Sequence, residues 1–170
     1  QLDSNQLPFV IRYPRGEGVM PEWKTEMEEI KIGTGRKLKD GQDIAILSLG
    51  HVGNFAASAI RDVKAEGINP AHYDMRFVKP LDEEMLHEVF SKYNKVITIE
   101  DGTVVGGFGS AILEFMNEHG YKADVKIMGI PDRLVEHGTP KQLYDEIGID
   151  ANGIAGALRA MAGVKVAVLS

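Results

Sequence analysis

Two short apolar runs, residues 43–49 (DIAILSL) and 95–99 (KVITI), constrain the fold of this chain more than any other feature. They are too short for helices, and their near-continuous apolar character is that of strands buried on both faces of a sheet. Between them the period changes. Residues 54–66 place Phe55, Ala56, Ala59, Ile60 and Val63 at helical spacing and close on Gly67. Residues 72–78 are strand-like, and 81–93 carry Met85, Leu86, Val89 and Phe90 on one helical face. The cycle continues with a helix over 110–119, ended by Gly120, and a strand over 124–130. A short helix over 140–147 follows, then a last helix over 150–161 capped by Asp150 or Asn152. Ahead of the first buried run, residues 30–33 and 37–39 read as an edge strand or a hairpin, turned by Lys39-Asp40-Gly41. Strands alternating with helices at these spacings predict an α/β fold. The expected architecture is an open, mostly parallel sheet of about five strands with helices on both faces.

Residues 1–29 do not share this rhythm. Residues 7–13 are apolar enough for one short strand between Pro8 and Pro14, but no neighbouring element is present to pair with it. Gly16, Gly18, Pro21 and a charged run follow, a composition typical of linkers. The expected organisation is the end of a preceding domain plus a linker over 1–29, the α/β domain over 30–163, and an apolar tail over 164–170 (VKVAVLS). The chain opens on Gln1 rather than Met, and its first residues lack the basic and apolar regions of a signal peptide. A fragment of a larger protein is expected.

Composition excludes several chemistries. The absence of cysteine removes disulfides, thiolate metal sites and a cysteine nucleophile, and it fits a reducing cytoplasm. A formal charge of −6, from 19 basic and 25 acidic side chains, disfavours nucleic acid as a partner. No apolar run approaches the roughly 20 residues of a membrane span, so no membrane association is expected.

Four groups of residues carry candidate chemistry. Gly106-Gly107-Phe108-Gly109-Ser110 follows a strand and opens a helix, where backbone N–H groups can cradle a phosphate. It matches neither the P-loop nor the dinucleotide fingerprint, and glycines there also let a helix start pack closely on its neighbour, the reading we favour. Glu100 and Asp101 stand at the C-terminal end of a buried strand, the edge where open α/β sheets bind ligands. Adjacent strand residues point to opposite faces, so capping or turn formation is expected of them rather than shared acid–base work. Among the histidines, His51 follows the first buried strand and is the best isolated candidate for ligand contact, although a loop histidine has many other roles. Glu84 and His87 have a metal-motif spacing without the second copy such sites need, which suggests a solvated helix face. Ser48 and Ser110 lack the nucleophile-elbow pattern. Arg12-Tyr13-Pro14-Arg15-Gly16 is a stiff cationic turn. Its guanidinium groups suit either phosphate binding or a salt bridge to a neighbouring domain, and the residues alone do not decide between them.

Taken together, four motifs resemble one family. Arg12-Tyr13-Pro14-Arg15-Gly16, Tyr73-Asp74-Met75-Arg76-Phe77-Val78-Lys79-Pro80-Leu81-Asp82, Gly106-Gly107-Phe108-Gly109-Ser110 and Gly129-Ile130-Pro131-Asp132 occur in the order and spacing of 1-deoxy-D-xylulose-5-phosphate synthases. The resemblance runs from about Pro8 to Met161. It implies the C-terminal, transketolase C-terminal-like domain of a transferase that binds thiamine diphosphate and Mg²⁺. The end of the pyrimidine-binding domain and the linker would precede it. The family's Gly-Asp-Gly diphosphate motif is absent: Lys39-Asp40-Gly41 and Glu100-Asp101-Gly102 both lack the leading glycine. Cofactor and metal would therefore sit on other domains, with no catalytic, cofactor-binding or metal-binding residue in this chain. The family reaction condenses pyruvate with D-glyceraldehyde 3-phosphate with loss of CO₂, supplying isoprenoid, thiamine and pyridoxal synthesis. Its second motif arginine, which maps to Arg15, helps bind the aldehyde's phosphate, leaving Arg12 a structural role. The resemblance further implies a cytoplasmic homodimer of the full chain and a fragment inactive alone. Two alternatives are another transketolase-like parent, which would not normally carry Arg76-Phe77-Val78-Lys79-Pro80, and a stand-alone phosphate- or nucleotide-binding module built on the Gly106 turn.

Overall fold

The apolar runs become the centre of a five-stranded sheet in the computed structural model, which describes residues 8–14 and 26–164. In chain order the strands are β1 (Arg36–Lys39), β2 (Ala45–Leu49), β3 (Ala71–Asp74), β4 (Lys95–Thr103) and β5 (Asp124–Ile130). The helices are α1 (Gly53–Val63), α2 (Glu83–Lys92), α3 (Phe108–Glu118), α4 (Pro140–Ile147) and α5 (Ala151–Ala162). Across the sheet the order is β1-β3-β2-β4-β5, all parallel except β1, which runs antiparallel to β3. This is the expected open, mostly parallel α/β sheet with helices on both faces.

Side-chain alternation along the strands divides the core in two. Ile44, Ile46, Ile97, Ile99 and Met128 face α1 and α5, with Tyr144 and Ile147 of α4 packed against them. Ala45, Leu47, Ala71, Tyr73 and Val96 face α2 and α3. Fully burying a side chain such as Leu86 or Ile112 contributes about 1.5–3 kcal/mol, so each helix is held mainly by its apolar face. Local signals set the helix ends. Asp82 accepts the Met85 N–H and starts α2, Thr139 and Gln142 form a capping box at α4, and Asp150 accepts the Gly153 N–H at α5.

Several boundaries differ from expectation. β3 stops at Asp74 rather than continuing to residue 78, because Arg76 turns the chain with φ +55°. The Asp74 carboxylate accepts the Arg76 N–H at 3.2 Å and pairs with Arg36 at 3.0 Å, which holds that turn. Residues 30–33 form no strand. Thr34 closes a turn on the Lys31 carbonyl, and β1 enters alone as an edge strand, so the hairpin alternative does not occur. Residues 8–14, expected to include a short strand, pair with none among the described residues and leave Val10, Ile11 and Tyr13 largely exposed.

Candidate functional site

Chain reversal at the middle of the sheet makes a crevice. From β2 the chain crosses through α1 to β3 on one side, whereas β4 lies on the other side of β2 and leads outward to β5. The C-terminal ends of β2 and β4 therefore flank the topological switch point, the usual ligand edge of such sheets. Gly50, with φ +80°, turns the chain out of β2 into a short 3₁₀ turn (Gly50–Val52) that carries His51 to this edge.

His51, Asp101 and Tyr144 meet there. The Tyr144 phenol donates to the Asp101 carboxylate at 3.0 Å and lies 3.0 Å from His51 Nε2. With the phenol proton given to Asp101, His51 must donate from Nε2 to the phenol oxygen. The imidazole also lies 3.7 Å from the same carboxylate oxygen and packs against Phe55 and Tyr144. Burial first, and then the Asp101 carboxylate, push the Tyr144 phenol up to about 12, so it stays protonated at neutral pH. The phenol proton is thus committed, and the arrangement orients the end of β4 rather than supplying a free base. Beside it a groove of about 310 Å³ runs between α4 and the connection from β5, lined by Asp101, Ile130, Val135, Leu143, Tyr144 and Ile147.

Glu100 serves the opposite face of β4, as alternation requires. It is 2% exposed, and its carboxylate accepts the Gly109 N–H at 2.9 Å in the first turn of α3. The anion position at that helix start is thus filled by the chain's own carboxylate. The glycines of the turn are there for packing. A Cβ on Gly107 would stand 2.0 Å from the Thr103 carbonyl, and one on Gly109 would stand 2.5 Å from Ile127 Cγ2. Ser110 Oγ donates to the Val104 carbonyl and accepts the Gly106 N–H, a turn-forming role.

Arg12 reaches the same edge. Its Nη2 donates to the Asp101 carbonyl at 2.6 Å. Arg15, the expected phosphate ligand, lies outside the described residues. His87 is not on a solvated face: its Nδ1 is 2.8 Å from the Tyr121 hydroxyl, and its ring packs against Phe115 and His119. Two features escaped the sequence reading. Tyr144 lies 43 residues beyond Asp101 and carries no motif that links it to the strand end. Ser48 and His72 form a buried pair at 2.9 Å on adjacent strands, set by the register Ile46↔His72 and Ser48↔Asp74.

Among the described residues, no three His, Asp or Glu side chains converge so as to hold a metal ion. With the α3 terminus already filled by Glu100, this set of residues does not fit a diphosphate and its Mg²⁺.

The sequence model of the transketolase C-terminal domain matches residues 33–154, and the chain belongs to that family. Within it, the chain is similar over most of its length to enzymes named 1-deoxy-D-xylulose-5-phosphate synthase. That of Cytophaga hutchinsonii is 58% identical over 164 residues, which are 96% of this chain and 26% of the relative. That of Parabacteroides distasonis is 55% identical over 152 residues, 89% of this chain and 24% of the relative. The chain thus spans about a quarter of the length of these curated relatives. A solved structure described as a split gene transketolase, an inactive beta4 tetramer, superposes with a TM-score of 0.75. It is 32% identical, with 86% of this chain and 48% of that one covered.

Proposed function

We propose that this chain is the C-terminal domain of a 1-deoxy-D-xylulose-5-phosphate synthase, a transferase condensing pyruvate with D-glyceraldehyde 3-phosphate with loss of CO₂. The observation that carries the reading is the 58% identity to a relative of that name across 96% of the chain. In this reading residues 1–29 close the preceding pyrimidine-binding domain and form the linker, and 30–163 are the C-terminal domain. Thiamine diphosphate and Mg²⁺ belong to the other domains, with which this one packs in a cytoplasmic homodimer. The product feeds isoprenoid, thiamine and pyridoxal synthesis.

The domain's own contribution is a rigid scaffold and one guanidinium. Arg15 binds the phosphate of the aldehyde, for which arginine's planar, permanently charged fork is suited. The domain alone neither binds thiamine diphosphate nor turns over pyruvate. In the complete enzyme, Arg15→Ala is expected to raise KM for glyceraldehyde 3-phosphate by about 10- to 100-fold, the loss of a charge-assisted bidentate contact, with KM for pyruvate little changed. An unaltered KM for the phosphorylated aldehyde, or tight cofactor binding by the isolated domain in calorimetry, refutes the reading. The alternative of a stand-alone phosphate- or nucleotide-binding module is disfavoured by Glu100, which already occupies the helix start such a module would use.

A further inference from the structure

We infer that the groove beside Asp101 receives a lysine side chain from the preceding domains of the enzyme, so that this edge of the sheet is an interdomain contact. The inference deepens the proposed function, and rests on it only in taking this chain as one domain of a longer polypeptide. Most of a protein the length of its relatives lies outside these 170 residues.

The groove has the lining of a slot for an alkyl stem. Ile130, Leu143 and Ile147 are each only partly buried and face a space of about 310 Å³. At one end stands the Asp101 carboxylate. Its Oδ2 takes the Tyr144 phenol at 3.0 Å and lies 3.7 Å from His51, while Oδ1 has no hydrogen-bond partner among the described residues. The phenol proton is committed to Asp101, so Tyr144 brings only an acceptor to the groove. Glu136, exposed at the rim, adds a second carboxylate. Besides the exposed ring of His137, every polar side chain lining the groove is therefore an acceptor, and two of them carry negative charge. An occupant that fits brings an apolar body and a cationic donor head.

One open carboxylate oxygen selects lysine over arginine. The guanidinium fork gains most from both oxygens of a carboxylate, and one is already taken. An ammonium is a point charge with three donors, and its four-carbon stem can lie along the apolar walls. The surroundings point to a protein as the bearer of that lysine. Leu134, 89% exposed, adjoins Val135 of the groove wall, and Val105, 62% exposed, follows β4 at the same edge. Residues 131–147 carry four carboxylates against two cations, of which Arg133 is spent on Glu146. Arg12 bonds the Asp101 carbonyl at 2.6 Å, which ties the incoming chain to this edge and raises the effective concentration of what the preceding domains present.

The test follows the acylation rate of every lysine in the complete enzyme, read by mass spectrometry after brief exposure to an N-hydroxysuccinimide ester. One lysine outside these 170 residues should react slowly in the parent. Asp101→Asn keeps an acceptor for Tyr144 but removes the charge, and should speed that lysine about tenfold, the scale of a charge-assisted bond. Glu136→Gln should speed the same lysine about two- to threefold, as for an exposed ion pair. Because Glu136 is exposed, its variant decides the matter if Asp101→Asn loosens the fold and raises all lysines together. A lysine outside the chain that is indifferent to Glu136→Gln, or a response confined to lysines within these 170 residues, overturns the inference. Condensation of pyruvate with the aldehyde is measured alongside on the parent. Its absence overturns the proposed reaction and leaves the lysine result standing, whereas an active enzyme with no responding lysine overturns the inference alone.

Discussion

The carboxylate of Glu100, buried at the end of β4, accepts the backbone N–H of Gly109 at 2.9 Å, and so the strand caps the helix that follows it. The connection between them is short, and the glycines at 107 and 109 let α3 come down close enough for the bond to form. A motif with the look of a phosphate cradle is thereby closed by a residue a few positions upstream. Period-2 alternation then sends Asp101 to the opposite face, where it serves Tyr144, His51 and, through its carbonyl, Arg12.

Removing the charge of Glu100 should weaken the protein even though the shape is kept. Glu100→Gln retains an acceptor for Gly109 but loses its attraction to the positive helix end, an expected cost of about 1 kcal/mol. Glu100→Ala leaves the N–H unsatisfied and a void behind, for about 2–3 kcal/mol. Urea denaturation of the two variants beside the parent measures both. Equal stability of all three would mean the bond contributes nothing.

Two glycines of the same turn should respond to alanine for different reasons. At Gly109 the new methyl would lie 2.5 Å from Ile127 Cγ2 and 2.8 Å from Thr98 Oγ1 in a packed interior. Overpacking of this kind costs about 1–3 kcal/mol. At Gly106 the space is open but φ is +70°, so the cost is the left-handed backbone alone, roughly 1–2 kcal/mol. Adding Val104→Ala as a second site, away from the atoms the new methyl would meet first, should not relieve Gly109→Ala. Ile127→Ala, which removes both Cγ atoms that the new methyl would meet, should relieve it in part, as thermal melts of the pairs would reveal.

Stability should fall as pH drops through the range set by His72. Burial above all holds its imidazole well below the ordinary 6.5, at about 4, with Asp74 opposing and Lys39 reinforcing that shift. Between these two values the unfolded chain binds more protons than the folded one, so stability rises with pH across that window. It is complete above about 6.5 and is lost as pH falls towards 4, by at most on the order of 3 kcal/mol. His72→Gln cannot take up the proton. The parent and variant stability curves should therefore converge as pH falls from 7 to 4.5, and parallel curves would exclude His72 as the source.

Tyr144 should titrate late. Its phenol, pushed up to about 12 by burial and the Asp101 carboxylate, should be absent from the tyrosinate absorbance change near pH 10. Comparing ultraviolet titrations of the parent and Tyr144→Phe isolates its contribution. A difference curve centred near 10 would show that the phenol is not bound to Asp101 in solution. The same variant should lose about 1 kcal/mol of stability, the net worth of one such bond.

Much of the architecture was readable because burial leaves a periodic trace. Residues 43–49 and 95–99 are nearly continuously apolar because both of their faces are covered, and the helical stripes of α1, α2 and α3 mark the faces that cover them. Even the division of labour between Glu100 and Asp101 was foreseeable, since alternation is a property of the strand itself. Boundaries were less legible where a local turn won over an apolar run, as at Arg76, whose left-handed backbone ends β3 four residues before its apolar residues do.

What the sequence alone determined is therefore everything that depends on neighbours along the chain: periodicity, caps, glycine turns and the motifs that mark the family. Only the tertiary structure decided which distant residues meet. Strand order brings His51 beside Asp101, α4 delivers Tyr144 to them, and a two-residue irregularity in β4 leaves one carbonyl open to Arg12. Those encounters follow from how strands are ordered and registered across the sheet. That ordering is a sum of many weak packing and pairing energies, and no single stretch of residues encodes it.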